Sequence, residues 1–187
     1  MQIVLQMKSM QNKIKLIILL ALVLCAGIFY YKSQFIFYKE SNSVGKVSWN
    51  NNDIPSIQLY FCIKKYCKEF SIPEEFGFAV AYAETGYRGP MHINYNHKQT
   101  SYAGALGPMQ VMLSTAKFIN KDESVSHNKL LSDIDYNVYT SIKLIRYLKN
   151  KYGDWKIVFG YYNTGYPIVN DYAINVYNKK YTWKSDL

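Results

Sequence analysis

At 187 residues and 49% hydrophobic content, the chain has room for one domain with a real core plus appendages, and is too short for two ordinary domains. Twenty-two basic against 13 acidic residues leave a net +9, which favours a polyanionic neighbour, and 19 tyrosines supply rings that stack on sugars as readily as on bases. No RNA-binding aromatic signature, helix-turn-helix glycine pattern or zinc-finger spacing is present, so nucleic acid is not an expected partner.

The N-terminus bears on the compartment. LIILLALVLCAGIFYY, residues 16–31, carries no charge and is bracketed by Lys8, Lys13, Lys15 and Lys32. Its length lies between a signal-peptide core and a comfortable membrane span, and the stems of the flanking lysines extend it across a bilayer. No small-x-small cleavage site follows, and Leu24 stands before Cys25 where a lipoprotein signal has a small residue. The expectation is an uncleaved signal anchor over residues 13–32, with residues 1–12 cytoplasmic and the rest on the outer side of the cytoplasmic membrane. KESNSVGKVSWNNND, residues 39–53, reads as the core of a linker over 33–55.

Beyond the linker the patterning is helical. Ile57, Tyr60, Phe61, Ile63, Cys67 and Phe70 form an apolar stripe that predicts a first helix. Cys62 and Cys67 lie on it about 140° apart, which disfavours a disulfide and reads as two buried thiols. Ser71 with Glu74 matches a capping box, and with Pro73 in the first turn it predicts a second helix from Ile72 to Glu84, stopped at Thr85-Gly86. Residues 87–107 are a long irregular connection, a length that is usually functional or mobile. His92, His97 and His127 have no ligand spacing and read as surface or loop residues, so no metal or cofactor is expected. Short helical patches follow, then Val138, Ile142, Ile145, Leu148 and Tyr152 mark a long helix ending at Gly153. A last helical segment carries Trp155, Val158, Phe159 and Tyr162 and breaks at Asn163-Thr-Gly. The fold class expected is mainly α, with at most a small β element in the long connection.

One residue resists this apolar patterning. Glu84 closes the run FGFAVAYA, where a charge is costly unless paired or neutralised. A bland pairing exists in Arg88, one turn on. A carboxyl among Ala79, Val80 and Ala83 also stays protonated near neutral pH, as a general acid must, and its place on the last turn of a helix raises its proton affinity slightly.

Three segments stand in order: AETGYR with Glu84, GALGPMQVMLSTA over 104–116, and GYYNTGYPIVNDYAINVY over 160–177. Together they resemble the catalytic domain of the soluble lytic transglycosylase family, related to goose-type lysozymes, over roughly residues 57–180. The resemblance implies a lysozyme-like helical domain, placed at 56–182 with a short tail at 183–187. By position, Glu84 matches the family's catalytic acid and Thr85 stands where serine is usual. Gly107, Met109 and Gln110 match a Gly-x-Met-Gln stretch, Tyr162, Asn163 and Gly165 a Tyr-Asn-x-Gly stretch, and Tyr172 the tyrosine that follows it. Pro108 and Leu113 depart from the pattern at positions that supply no reacting group.

The residue types suit the implied substrate, peptidoglycan glycan strands. Gly104 and Gly107 allow backbone to approach a sugar, and Gln110 and Asn163 offer donors and acceptors to N-acetyl and hydroxyl groups. An ordinary glycosidase uses two carboxyls, yet no Asp or Glu occurs from Thr85 through Lys121. That absence favours Glu84 alone, first as acid and then as base toward the sugar's 6-hydroxyl. The resemblance then implies cleavage between N-acetylmuramic acid and N-acetylglucosamine with an anhydro product. Asp133, Asp135 and Asp171 keep goose-type hydrolysis open, and a non-catalytic peptidoglycan-binding scaffold is the third reading. By analogy, a chain of this size suits a secretion or conjugation apparatus, and its basic surface suits anionic wall polymers.

Overall fold

The computed structural model describes residues 2–43 and 53–179. It divides into two units, Met1–Val47 and Ser48–Leu187. The first is a single helix, α1 (Gln2–Ser43), whose stretch Met10–Ile36 is long and apolar enough to cross a membrane, a test that a signal sequence also passes. Ile17, Leu20 and Leu24 are each at least 60% exposed, whereas Tyr31 near the end of the apolar stretch is buried. Helix continues through Ser43, into the stretch expected to be linker. Residues 44–52 of that linker lie outside the described residues, as does the expected tail at 183–187, and the linker's last residue, Pro55, belongs to the next helix.

The second unit holds α2 (Pro55–Glu69), α3 (Glu74–Thr85), α4 (Leu113–Asn120), α5 (His127–Ser132), α6 (Ile134–Tyr152), α7 (Trp155–Thr164) and α8 (Asp171–Lys179). Pro55 opens α2, where its fixed φ and missing N–H cost nothing. Ile57, Ile63 and Cys67 are fully buried on it, and both Cys62 and Cys67 are free buried thiols. The anticipated capping box at Ser71 does not form. Ser71 takes φ +54 and belongs to the turn that closes α2, with Ile72 N–H donating to Cys67 O at 2.8 Å. As a result α3 starts at Glu74, with Pro73 at its N-cap and no side-chain cap.

The end of α3 follows the pattern of its sequence. Gly86 adopts the left-handed conformation at φ +67, its N–H donates to Tyr82 O, and Tyr87 N–H donates to Ala81 O. Asp133 caps α6 by accepting from Tyr136 N–H at 3.0 Å, and Val138, Ile142, Ile145 and Leu148 of that helix are fully buried. α6 is the central helix, packed against α2, α4, α5 and α7. α8 lies against α7 and α3, and its sequence pattern had not marked it as a helix. Its start is capped by Asn170, whose Oδ1 accepts from Ala173 N–H at 2.9 Å. Gly160 fixes the approach of α7 to the chain that follows it, since a Cβ there would lie 1.6 Å from Ile168 O.

Between α3 and α4 the chain forms no helix and, among the described residues, the molecule has no strand. The small β element reduces to two isolated bridges, Thr100 to Leu106 and Leu106 to Val111.

Candidate active site

Glu84 sits on the last turn of α3, half-buried, and makes no ion pair among the described residues. Arg88 is exposed, and the expected alternative pairing with it is not formed. Instead Tyr172, the second residue of α8, donates its hydroxyl to Glu84 Oε1 at 2.5 Å. Burial pushes the Glu84 carboxyl up from 4.5 to about 7, and the Tyr172 hydrogen bond partly opposes that rise. No second carboxylate contributes to the shift among the described residues. The apolar setting differs in one member: Val80 and Ala79 are fully buried, whereas Ala83 is exposed. Two tyrosines complete it. The hydroxyls of Tyr162 and Tyr172 are both pushed up, first by burial and then by the charge of Glu84.

Thr85 ties the end of α3 to the long connection. Its Oγ1 lies 2.7 Å from the Tyr95 hydroxyl, 2.9 Å from Pro108 O and 3.1 Å from Ala81 O. One hydroxyl has one proton, so Tyr95 donates to Thr85, whose own proton is shared between the Pro108 and Ala81 carbonyls. Gln99 Nε2 adds a contact to Asn96 O at 2.7 Å, and Gln110 Nε2 holds Gln99 O at 3.1 Å and Gly107 O at 2.8 Å. Gln110 therefore spends its donor on the loop, and its Oε1 has no partner among the described residues.

Gly107 and Met109 do not face a cleft as their motif suggested. Gly107 is buried at φ +72, and a Cβ on it would meet Asn137 Nδ2 at 2.5 Å and Leu130 O at 2.8 Å. Close packing against α6, not approach to a sugar, requires the glycine. Met109 is fully buried, with its N–H on Asn137 Oδ1 at 3.0 Å and its carbonyl accepting from the Tyr162 hydroxyl at 2.6 Å. Gly104, by contrast, is exposed at φ +85 with open space around it. Asn163 is exposed, its Oδ1 accepting from Asn170 Nδ2 at 3.0 Å, and Gly165 is the left-handed cap of α7 at φ +77.

Three residues of this arrangement were not singled out in the sequence. Tyr95 holds Thr85. Asn137 is fully buried on α6 and bridges Leu106 O, Leu130 O and Met109 N–H. Ser141, one turn on and also fully buried, donates to the Tyr162 hydroxyl at 2.8 Å, since that hydroxyl's proton goes to Met109 O. A signal existed for the latter two: polar residues at 137 and 141 lie beside the apolar stripe of Val138 and Ile142, and a buried polar group there needs partners. The other acids are engaged or apart: Asp133 caps α6, and Asp135 accepts from Tyr66 at 2.5 Å and Lys65 at 3.2 Å. Asp171 is exposed at the start of α8.

An open groove of about 820 Å³ between α3 and α8 is lined by Ala79, Tyr82, Ala83, Tyr172 and Asn175, and Glu84 is not part of its lining. The family model of the transglycosylase SLT domain matches residues 61–184, well over half of the chain. The chain belongs to the transglycosylase SLT domain family. In this SLT domain the three motif segments, from α3, the connection before α4 and the α7–α8 region, meet around Glu84. No curated protein matches the chain. Among solved structures it is similar to the 70-kDa soluble lytic transglycosylase of Escherichia coli, alone and in complex with bulgecin A, at 24% identity and a TM-score of 0.49. It is also similar to an inactive mutant of the lytic transglycosylase Slt of Pseudomonas aeruginosa, at 18% identity and 0.46. These matches cover 68% and 56% of this chain but only 21% and 16% of the solved ones.

Proposed function

We propose that this chain is a peptidoglycan lytic transglycosylase, in which Glu84 is both acid and base for cleavage of the bond between N-acetylmuramic acid and N-acetylglucosamine. The observation that carries the reading is a carboxyl poised at about 7 by burial, held on one oxygen by Tyr172 and with Oε2 free of hydrogen bonds among the described residues. A protonated Glu84 gives its proton to the glycosidic oxygen as the bond to the muramic C1 breaks. The resulting carboxylate then takes the proton of the 6-hydroxyl, whose oxygen bonds to C1 and closes the anhydro ring. The proton lost in the first step is regained in the second, so one carboxyl suffices and no water is consumed. Tyr172 is a positioning residue that sets the carboxyl rotamer. Thr85, Met109, Gln110 and Tyr162 hold the walls, and Asn163 with Gln110 Oε1 offers polar groups to the sugars.

Family membership supports this reading, and α1 supports an anchor at 13–32 that holds the domain at 56–182 on the outer side of the cytoplasmic membrane. Service to a secretion or conjugation apparatus is part of the same proposal. The test is mass spectrometry of muropeptides released from purified peptidoglycan by the full chain in detergent, beside Glu84→Gln. Anhydro ends that vanish in the variant support the proposal. Reducing ends assign goose-type hydrolysis, and no release from either protein assigns a binding scaffold.

A further inference from the structure

α4 and α6 carry a surface feature that catalysis does not use. Phe118 is 62% exposed on α4, a helix whose Ala116 and Ile119 are buried. Its ring meets that of Tyr147 on α6 edge to face, centroids 5.8 Å apart, and Tyr147 is itself 39% exposed. The two rings make an apolar knob that bridges the helices. Lysines frame it. The helical repeat sets Lys143 and Lys151 one turn to either side of Tyr147, and Lys121 follows Phe118 at the C-cap of α4. Lys143 is held there by Asn120 Oδ1 at 3.2 Å and the Tyr139 ring at 5.2 Å. Of the nearby acids, Glu123 pairs with Lys117 at 3.5 Å, while Asp122 accepts from Ser124 at 2.6 Å and keeps its charge beside Lys121.

The chemistry of the knob selects its partner. A soluble polyanion would use the lysines and leave the two rings in water. The interfacial layer of a bilayer takes both, with rings at headgroup depth and ammonium groups on phosphates. The same chain supplies such a surface within reach, because residues 44–54 between the end of α1 and α2 extend at most about 40 Å. Tethering at that distance raises the local concentration of membrane for the domain.

We propose that Phe118 and Tyr147, framed by Lys121, Lys143 and Lys151, form a docking surface for the anionic headgroups of the membrane that α1 crosses. This rests on the anchor reading of α1 and not on the chemistry of Glu84. The test uses the full chain reconstituted into phosphatidylcholine vesicles with or without phosphatidylglycerol, read by hydrogen exchange of α4 and the second half of α6. Exchange about tenfold slower with phosphatidylglycerol only, reversed by high salt, by Lys143→Glu with Lys151→Glu and by Phe118→Ser, is the expected result. Equal exchange in the two vesicle types overturns the proposal. So does protection that survives Phe118→Ser, or that polyphosphate reproduces on neutral vesicles, since either assigns a polyanion contact. Resistance to alkaline extraction reads α1 separately. A chain that is extracted removes the span, and with it the tethered membrane on which the proposal rests.

Discussion

The carboxyl of Glu84 has a cost that the proposed chemistry explains. Its pKa in the folded chain, about 7 against an ordinary 4.5, means that the folded state holds the proton more tightly than the unfolded one. Stability from this group is therefore complete below 4.5 and is lost as pH rises through 7, a loss of about 3 kcal/mol. Glu84→Gln removes the ionisation. Its melting temperature is expected to match that of the parent at pH 4 and to exceed it at pH 8, with the gap opening between the two pKa values; calorimetry across that range is the check. On the proposed mechanism the same ionisation sets the rate. Activity needs the protonated form at the first step, so its alkaline limb is expected near 7. Because the Tyr172 hydroxyl favours the ionised carboxyl, Tyr172→Phe should move that limb upward by about one pH unit while lowering kcat, as read from a pH–rate profile.

Among the elements, α6 organises the site without supplying a reacting group. Its Asn137 satisfies two carbonyls and one N–H from two separate stretches, and its Ser141 fixes the Tyr162 hydroxyl. Asn137→Ala leaves those backbone groups buried and unpaired. It is expected to cost about 3 kcal/mol in urea unfolding and to loosen the segment that carries Met109 and Gln110, so that activity falls more than stability at moderate urea predicts. Gly107→Ala should destabilise by at least about 2 kcal/mol, because the added methyl meets a fully bonded amide and a backbone carbonyl at a positive φ. A stability loss with normal KM in the residual folded fraction would separate this packing role from the sugar approach that the motif suggested.

For the whole molecule, α1 differs from the SLT domain in composition, with a stretch apolar enough to cross a membrane. Its exposed leucines and isoleucines suit the bilayer of the proposed anchor. Full-length protein is therefore expected in the alkali-resistant membrane fraction, with an intact N-terminus by mass spectrometry. Recovery of a soluble product starting after residue 26 would identify α1 as a cleaved signal. Replacing Leu20 and Leu24 by arginine should release the retained chain, because each charge at mid-span opposes insertion by about 3 kcal/mol.

Local chemistry was enough to read several features from residues alone. The apolar stripe of α6, the glycine stop of α3 at Gly86 and the unbroken run of α1 depend on neighbours within one or two turns, where side-chain period and backbone freedom act directly. The motif residues around Glu84 were legible as a set only through the resemblance to the transglycosylase family, since no local periodicity marks them. Other features depend on groups far apart in the chain. Tyr172 reaches Glu84 across 88 positions, Tyr95 anchors Thr85 through a hydroxyl, and Ser71 closes a turn when its residue type and spacing announced a cap. α8 went unread because its short run of Asn, Tyr and β-branched residues has weak helix propensity, and packing against α3 and α7 makes up the deficit. Hence local pattern determined that a costly glutamate ends a buried helix. Only the tertiary structure decided what buries it, what holds it and which motif glycine serves packing, since those are properties of surfaces brought together by folding.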